Sequence, residues 1–253
     1  MRLSGKVSIV TGASAGLGAA VAARFAREGS SVVVADINEP AGSALAGQLQ
    51  SQSLDASFIA TDISNEASVK GLIDAVLAHH GRIDVLFNDA AILLSGRDLP
   101  AHEIGMETWD LVMSVNLRGP FLCAKHAVPF MLKKGSGSIV NVASRTGLFG
   151  CAPQLTAYSA SKAGVIGLTR VMAAACAHDG IRVNSIVPGT MDTPMNSYLF
   201  ADDATRERYR EAVPMGRLGT GADIEGLAVF LASDDSAYCT GGIYMCDGGA
   251  TAV

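Results

Sequence analysis

The sequence predicts an α/β protein: a single domain around a doubly wound parallel sheet of about seven strands, with helices on both faces. Three observations lead there. Short runs rich in valine and isoleucine alternate with helix-length segments along the whole chain. The runs are apolar at successive positions, as in strands covered on both faces. The connections between them are long enough for crossovers joining parallel neighbours. No break in composition, low-complexity tract or repeat divides the 253 residues, of which 49% are hydrophobic. A chain of that size and content buries a large core without metals or crosslinks.

The first strand, Val7 to Val10, runs into Thr11-Gly12-Ala13-Ser14-Ala15-Gly16-Leu17-Gly18 and a helix from about Leu17 to Glu28. The second strand, Ser31 to Ala35, ends at Asp36 and leads to a helix over Pro40 to Gln50. A third strand at Ser57 to Ala60 precedes Asp62-Ile63, and Ser64-Asn65-Glu66 opens a helix ending near His79. Strands at Ile83 to Phe87, Ser138 to Val142 and Ile181 to Val187 alternate with helices at Met106 to Leu132, Tyr158 to His178 and Asp223 to Ala232. Residues 190–220 carry weak strand signals and two short helical stretches between Pro194 and Pro214, which reads as a flap over a site.

Several function classes are excluded early. The net charge is −5, and the basic clusters Lys133-Lys134 and Arg206, Arg208, Arg210 are small or interleaved with Glu207 and Glu211. They read as solvated helix faces, so no nucleic-acid partner is expected. Five scattered cysteines never stand in C-x-x-C spacing and five histidines offer no H-x-x-x-H pair, so neither disulfides nor a metal site is expected. Reduced thiols fit the cytoplasm. The apolar start is four residues long, which predicts neither a signal peptide nor a membrane span.

Chemistry is written at two places. The spacing G-x-x-x-G-x-G at Gly12, Gly16 and Gly18, between a strand and a helix, lets the backbone of Gly12, Ser14, Ala15, Gly16 and Leu17 approach a pyrophosphate at a helix N-terminus. Asp36, twenty residues after Gly16 at the end of the second strand, is placed to accept both hydroxyls of an adenosine ribose. It would repel a 2′-phosphate, and no Arg or Lys in Ala13-Ser14-Ala15 or Ile37-Asn38 offsets it, so NAD is expected over NADP. Asp62-Ile63 is open to two readings, a contact to the adenine edge or a helix cap. The pattern is that of a Rossmann-type dinucleotide fold.

The second place is Tyr158-Ser159-Ala160-Ser161-Lys162, where phenol and ammonium stand at i and i+4 on one helical face. A tyrosine with a pKa of about 10 is a poor base at neutral pH. An ammonium about 4 Å away, at an effective dielectric near 20, is worth at most about 4 kcal/mol, enough to bring Tyr158 towards neutrality. Ser144, just past the strand Ser138 to Val142, lies at the strand end where such sheets bind ligands.

Together these residues resemble the short-chain dehydrogenases/reductases over nearly the whole chain. The resemblance rests on Thr11-Gly12-x-x-x-Gly16-x-Gly18, Asp62, Asn88-Asp89-Ala90-Ala91, Asn116, Ser144, Tyr158-x-x-x-Lys162, Pro188-Gly189, Thr193 and Asp247-Gly248-Gly249. It implies that Tyr158 is the general acid/base, that Lys162 lowers its pKa and binds the nicotinamide ribose, and that Ser144 polarises the substrate oxygen. Asn116 would hold a water that links Lys162 to solvent. Cofactor contacts are implied for Ile37, Asp62, Ile63, Asn88, Ala90, Pro188, Gly189 and Thr193. The family usually has Asn-Asn-Ala-Gly where this chain has Asn88-Asp89-Ala90-Ala91, so a carboxyl replaces an amide and an easy positive φ is lost.

The resemblance also places Leu94, Ser95, Thr146, Leu148, Leu155, Thr190, Met191, Met195, Tyr198 and Leu199 around the substrate. Most are apolar, so the expected substrate is a small to medium, largely uncharged secondary alcohol or ketone, with Arg145 as the one side chain able to overturn this. A homotetramer is implied, paired through the helices Met106 to Leu132 and Tyr158 to His178. Two other readings are an NAD-binding regulator without turnover, which needs none of the four catalytic side chains, and an isomerase or dehydratase, whose relatives carry G-x-x-G-x-x-G.

Overall fold

The computed structural model describes residues 1–200 and 202–252; Ala201, within the expected flap, and Val253 lie outside them. Seven parallel strands form the sheet, β1 (Val7–Thr11), β2 (Ser31–Asp36), β3 (Ala56–Ala60), β4 (Val85–Asn88), β5 (Gly137–Val142), β6 (Ile181–Pro188) and β7 (Ile243–Cys246). Their order is β3-β2-β1-β4-β5-β6-β7. The chain therefore winds outward in one direction from β1 to β3 and in the other from β4 to β7. At the reversal, between β1 and β4, the loops leaving the strand ends part and open a crevice.

Side chains of each strand alternate between two cores. Val10, Val34, Phe87 and Val140 face the layer of α1 (Gly16–Arg27), α2 (Glu39–Ser51) and α8 (Gly221–Ala232). Ile9, Val33, Leu86, Ile139 and Val183 face α3 (Glu66–His80), α5 (Gly119–Lys134) and α6 (Thr156–Cys176). This is why the strands read as unbroken apolar runs. Phe25 of α1 meets Phe87 of β4 edge-on, ring centroids 5.9 Å apart, a contact worth about 0.5–1.5 kcal/mol beyond its area.

Six strands lie where the sequence puts them, within a residue or two. The seventh, β7, escapes the apolar-run criterion because it is short and half-exposed at the sheet edge. The expected single helix from Met106 to Leu132 is three pieces: α4 (Met106–Met113), a π-helical turn at Ser114–Arg118, and α5. Between Thr190 and Thr220 lie a 3₁₀ segment, Pro194–Phe200, and α7 (Asp203–Glu211).

One carboxylate ties the sheet to its helix layer. Asp84, buried just before β4, accepts hydrogen bonds from the Val7 N–H at 2.9 Å and from Arg82 at 2.7 and 2.8 Å, and pairs with Lys134 of α5. Burial alone would raise its pKa, but the Arg82, Lys134 and Val7 hydrogen bonds outweigh burial and hold it below the ordinary carboxylate value. A depressed folded pKa gives stability that is complete above the unfolded value and lost as pH falls through the folded one. Asp84→Asn should therefore lose about 2 kcal/mol at pH 7, with the deficit shrinking in acid; denaturant midpoints of both proteins at pH 7 and pH 3 test this, and an equal deficit at both would refute it.

Candidate active site

β1 runs buried to Thr11 and turns at once into α1. Gly12 makes that turn with φ at 70°, and a Cβ there would lie 2.6 Å from the Ala90 Cα, so no other residue fits. A Cβ on Gly18 would lie 2.3 Å from the Gly12 carbonyl oxygen. Ala15 caps α1 with no side-chain acceptor, and the first turn carries no acidic residue. Asp89 stands at the Gly18 N–H, and the Gly16 and Leu17 N–H groups are left for a ligand, with the positive end of the helix dipole behind them.

Asp36 closes this end. Its Oδ2 accepts from the Ser14 N–H at 3.0 Å and its Oδ1 from the Asn38 N–H at 2.9 Å. Each carboxylate oxygen keeps acceptor capacity for a hydroxyl. The free amides at the start of α1 and a carboxylate on the next strand fit the pyrophosphate and adenosine ribose of a nicotinamide dinucleotide.

From here a cavity of about 450 Å³ runs to the reaction end. Tyr158 and Lys162 lie one turn apart on α6, both buried, with the Lys162 Nζ 5.7 Å from the phenol ring centroid. The Lys162 Nζ donates to the Val142 carbonyl of β5 at 2.8 Å. Ser144 caps a 3₁₀ turn, Arg145–Gly147, and its Oγ accepts from the Thr146 Oγ1 at 3.1 Å. That leaves the Ser144 proton free to serve the phenol, whose pKa Ser144 lowers. A Cβ on Gly147 would lie 2.6 Å from the α6 backbone at Lys162 and Ala163, so the turn carrying Ser144 rests directly on the helix carrying Tyr158.

The electrostatics differ from the expectation. Burial pushes the Tyr158 phenol up to about 12, against the lowering by Ser144, and Asp89 and Tyr198 add to the rise. Burial pulls Lys162 down to about 8, while Asp89 acts the other way. An ammonium that gives up its proton below the phenol cannot by itself bring the phenol towards neutrality. The estimate from charge separation left out the cost of taking both ions out of water. Asp89, at the cavity wall, is itself pushed up to about 6 by burial, although Lys162 and the Gly18 N–H pull it down. Ala91 keeps a negative φ; Ser53 is the only non-glycine with positive φ among the described residues.

Most residues chosen from sequence border this cavity. At the cofactor end they are Gly12, Ser14, Ala15, Gly16, Leu17, Asp36 and Ala90; Pro188, Gly189 and Thr193 stand opposite. At the reaction end they are Ser144, Thr146, Leu155, Tyr158, Lys162, Thr190, Met191, Met195, Tyr198 and Leu199. Leu94, Ser95 and Leu148 are not in its lining, whereas Leu93 is. Ile37 is exposed beside it. Asp62 turns back on Ser64, accepting from its N–H at 2.9 Å and its hydroxyl at 2.7 Å, and the cap of α3 is Asn65. Ile63 is buried under Gly119, where a Cβ would lie 2.4 Å from its Cδ1. Asn88 lies behind the wall, donating to Asn141 at 2.8 Å.

Asn116 also stands behind the wall, on the π-helical turn. Its amide accepts from the Ile92 N–H at 2.8 Å and donates to the Ile92 carbonyl at 2.9 Å and to Ser161 at 3.3 Å. It thereby braces the segment after β4 against α6. A second brace, Asp98, was not foreseen. Fully buried, it accepts from the Ala157 N–H at 2.9 Å and the Tyr158 N–H at 2.8 Å, capping α6 where the phenol is mounted. Loop composition alone offers no sign of this, because the capped helix starts almost sixty residues later.

The chain is similar to known proteins over nearly its whole length. A family model described as enoyl-(acyl carrier protein) reductase matches residues 12–251. The chain is 39% identical to the 3-oxoacyl-(acyl-carrier-protein) reductase FabG of Thermotoga maritima, covering 98% of this chain and 99% of the relative. It is 41% identical to a cis-4-hydroxycyclohexanecarboxylate dehydrogenase of Sinomonas cyclohexanicum, covering 98% and 97%. Among solved structures, a levodione reductase superposes with a TM-score of 0.94 at 34% identity over 100% of both chains. A gluconate 5-dehydrogenase from Burkholderia cenocepacia, in complex with NADP and tartrate, gives 0.94 at 32% identity over 100% and 97%.

Removing the Asp98 carboxylate leaves two buried N–H groups unpaired, each worth about 1–3 kcal/mol. Asp98→Ala should lower the denaturant midpoint clearly and Asp98→Asn, which keeps one acceptor, by less, while NADH affinity in the folded variants stays near wild type. Equal midpoints for wild type and Asp98→Ala would remove the capping role.

Proposed function

The chain belongs to the short-chain dehydrogenase/reductase family, and from that premise we propose an NAD(H)-dependent oxidoreductase that interconverts a secondary alcohol and a ketone. One observation supports this above the others: Ser144, Tyr158 and Lys162, the ammonium 5.7 Å from the phenol ring, border the same cavity as the uncapped start of α1. A binding protein without turnover has no use for that trio.

The first-turn amides of α1 hold the pyrophosphate and Asp36 the adenosine ribose. The bound nicotinamide supplies the hydride acceptor or donor and, when oxidised, a positive charge. In alcohol oxidation the Ser144 hydroxyl orients the substrate oxygen. Tyr158 takes the hydroxyl proton at its phenolic oxygen as the carbon loses a hydride, and in reduction it returns that proton. Lys162 binds the nicotinamide ribose and stabilises phenolate once a second positive charge is nearby. Asn116 acts as a brace and holds a water toward Lys162. The segment over residues 190–220 closes on the substrate as a flap.

Asp36 favours NAD over NADP, since the cavity offers no cation at that end to a 2′-phosphate. The apolar side chains exposed on α4, α5 and α6, such as Leu111, Phe121, Phe130 and Val171, support a homotetramer paired through these helices. No helix among the described residues is long and apolar enough to cross a membrane, which accords with work in the cytoplasm.

Two substitutions test this reading. Tyr158→Phe should fold and bind NADH while losing turnover by about a hundredfold or more; unchanged turnover would reject the mechanism. Wild type should bind NADH more tightly than NADPH, and Asp36→Ala should cost about tenfold in NADH affinity, about 1.4 kcal/mol, while narrowing that preference; a wild-type preference for NADPH would overturn the role of Asp36. The raised phenol pKa also has a kinetic sign. Alcohol oxidation, which needs phenolate, should speed up as pH rises, whereas ketone reduction, which needs the protonated phenol, should not.

A further inference from the structure

Four charged side chains border the cavity, and three have tasks. Asp36 and Asp89 stand by the glycine turn, and Lys162 is bound to Val142 beneath the phenol. The fourth is Arg145. It directly follows Ser144 and is half-buried. The only hydrogen bond of its side chain among the described residues runs from one Nη to the Thr190 hydroxyl at 3.1 Å. Thr190 also borders the cavity and is nearly buried at the end of β6, so this contact holds the guanidinium beside the site.

No carboxylate among the described residues lies within ion-pair distance of Arg145; Arg27, Arg118, Arg170, Arg182 and Arg208 share that state, but none of them borders the cavity. A guanidinium presents five N–H donors in a rigid fork and stays charged at any working pH. With one neutral partner, the guanidinium keeps donors free for an anion bound in the cavity. Leu93, Ala152, Leu155, Met191 and Leu199 give the surrounding wall an apolar stretch, beside which Arg145 is the one guanidinium among the described residues.

We propose that Arg145 is a specificity-determining residue, and that the substrate carries a carboxylate a few carbons from its reacting hydroxyl or carbonyl. The assignment rests on the oxidoreductase reading above. It replaces the sequence-based expectation of an uncharged substrate, because Arg145 is held at the cavity by Thr190 rather than turned to solvent. Ser144 takes the reacting oxygen and its neighbour takes the anionic end. That geometry selects short hydroxy acids and oxo acids over their esters. The charge on the carboxylate must sit apart from the reacting carbon, with an apolar spacer against the Leu155 side of the wall.

The test uses the full chain saturated with NADH, titrated with 4-oxopentanoate and 5-oxohexanoate and with the methyl ester of each, in wild type, Arg145→Met and Arg145→Lys. At least one acid should bind wild type tenfold or more tightly than its ester, and the difference should shrink with added salt. Arg145→Met should abolish the preference, Arg145→Lys should retain part of it, and NADH affinity should not change. Equal binding of acids and esters to wild type, binding of neither, or a preference that survives in Arg145→Met would overturn the proposal. So would a loss in Arg145→Met confined to NADH, which would give the guanidinium to the cofactor. Failure of wild type to bind NADH at all would instead strike the oxidoreductase reading itself.

Discussion

The site depends on holding two ionisable groups out of water at a fixed separation. Tyr158 and Lys162 are both buried, and each resists ionising because of it. Such a pair persists only where the rest of the fold compensates. The Val142 carbonyl at the end of β5 engages the lysine, Ser144 engages the phenol, and Gly147 brings the serine turn against the helix backbone. Asp98 then satisfies the amide of Tyr158 itself. The geometry of the Tyr158–Lys162 pair and the packing of α6 on the sheet are therefore one problem, and no member of the set can shift without moving another.

How much of this was legible in the sequence follows the range of the interaction that creates it. The glycine turn at Gly12 is readable because its requirement is local: a strand must reverse into a helix within five residues, and only a bare backbone fits against Ala90. Tyr158 and Lys162 are readable because helical spacing alone puts them on one face. The strands show because both faces are covered; β7 does not, since at the edge it has lost that signature. The π-helical turn at Ser114–Arg118 hides inside a pattern that reads as plain helix. It is set by Asn116 reaching back to Ile92, a pairing across chain segments that periodicity does not record. Asp98, capping a helix from another loop, and Arg145, held by Thr190, belong to the same class.

The cavity is divided electrically. Its acidic side chains stand beside the glycine turn and its basic ones beside the phenol. The acidic end suits a ligand that presents hydroxyls to a carboxylate and phosphates to helix amides. The basic end favours negative charge on the phenol and on whatever is bound next to it. Sequence composition could not reveal this division, because the four residues concerned are scattered over more than a hundred positions and the net charge of the chain averages them away.

Asp89 belongs to both halves of that division. Where relatives in the resembling motif carry an amide, this chain has a carboxyl facing the Gly18 N–H and acting on Lys162. Its negative charge raises both Lys162 and Tyr158. The first effect keeps the lysine charged at higher pH and so keeps a cation near the phenol; the second opposes phenolate directly. The two nearly oppose each other only while Asp89 is ionised, and burial pushes its carboxyl up to about 6. Below that value the carboxyl becomes neutral, as an amide is, and the lysine loses its nearby negative charge; between it and about 8, where burial makes Lys162 give up its proton, the two carry opposite charges. The departure from the amide therefore does not disable the site. It makes the charge state of Lys162 depend on a group across the crevice, at the junction where the first glycine turn meets the end of β4.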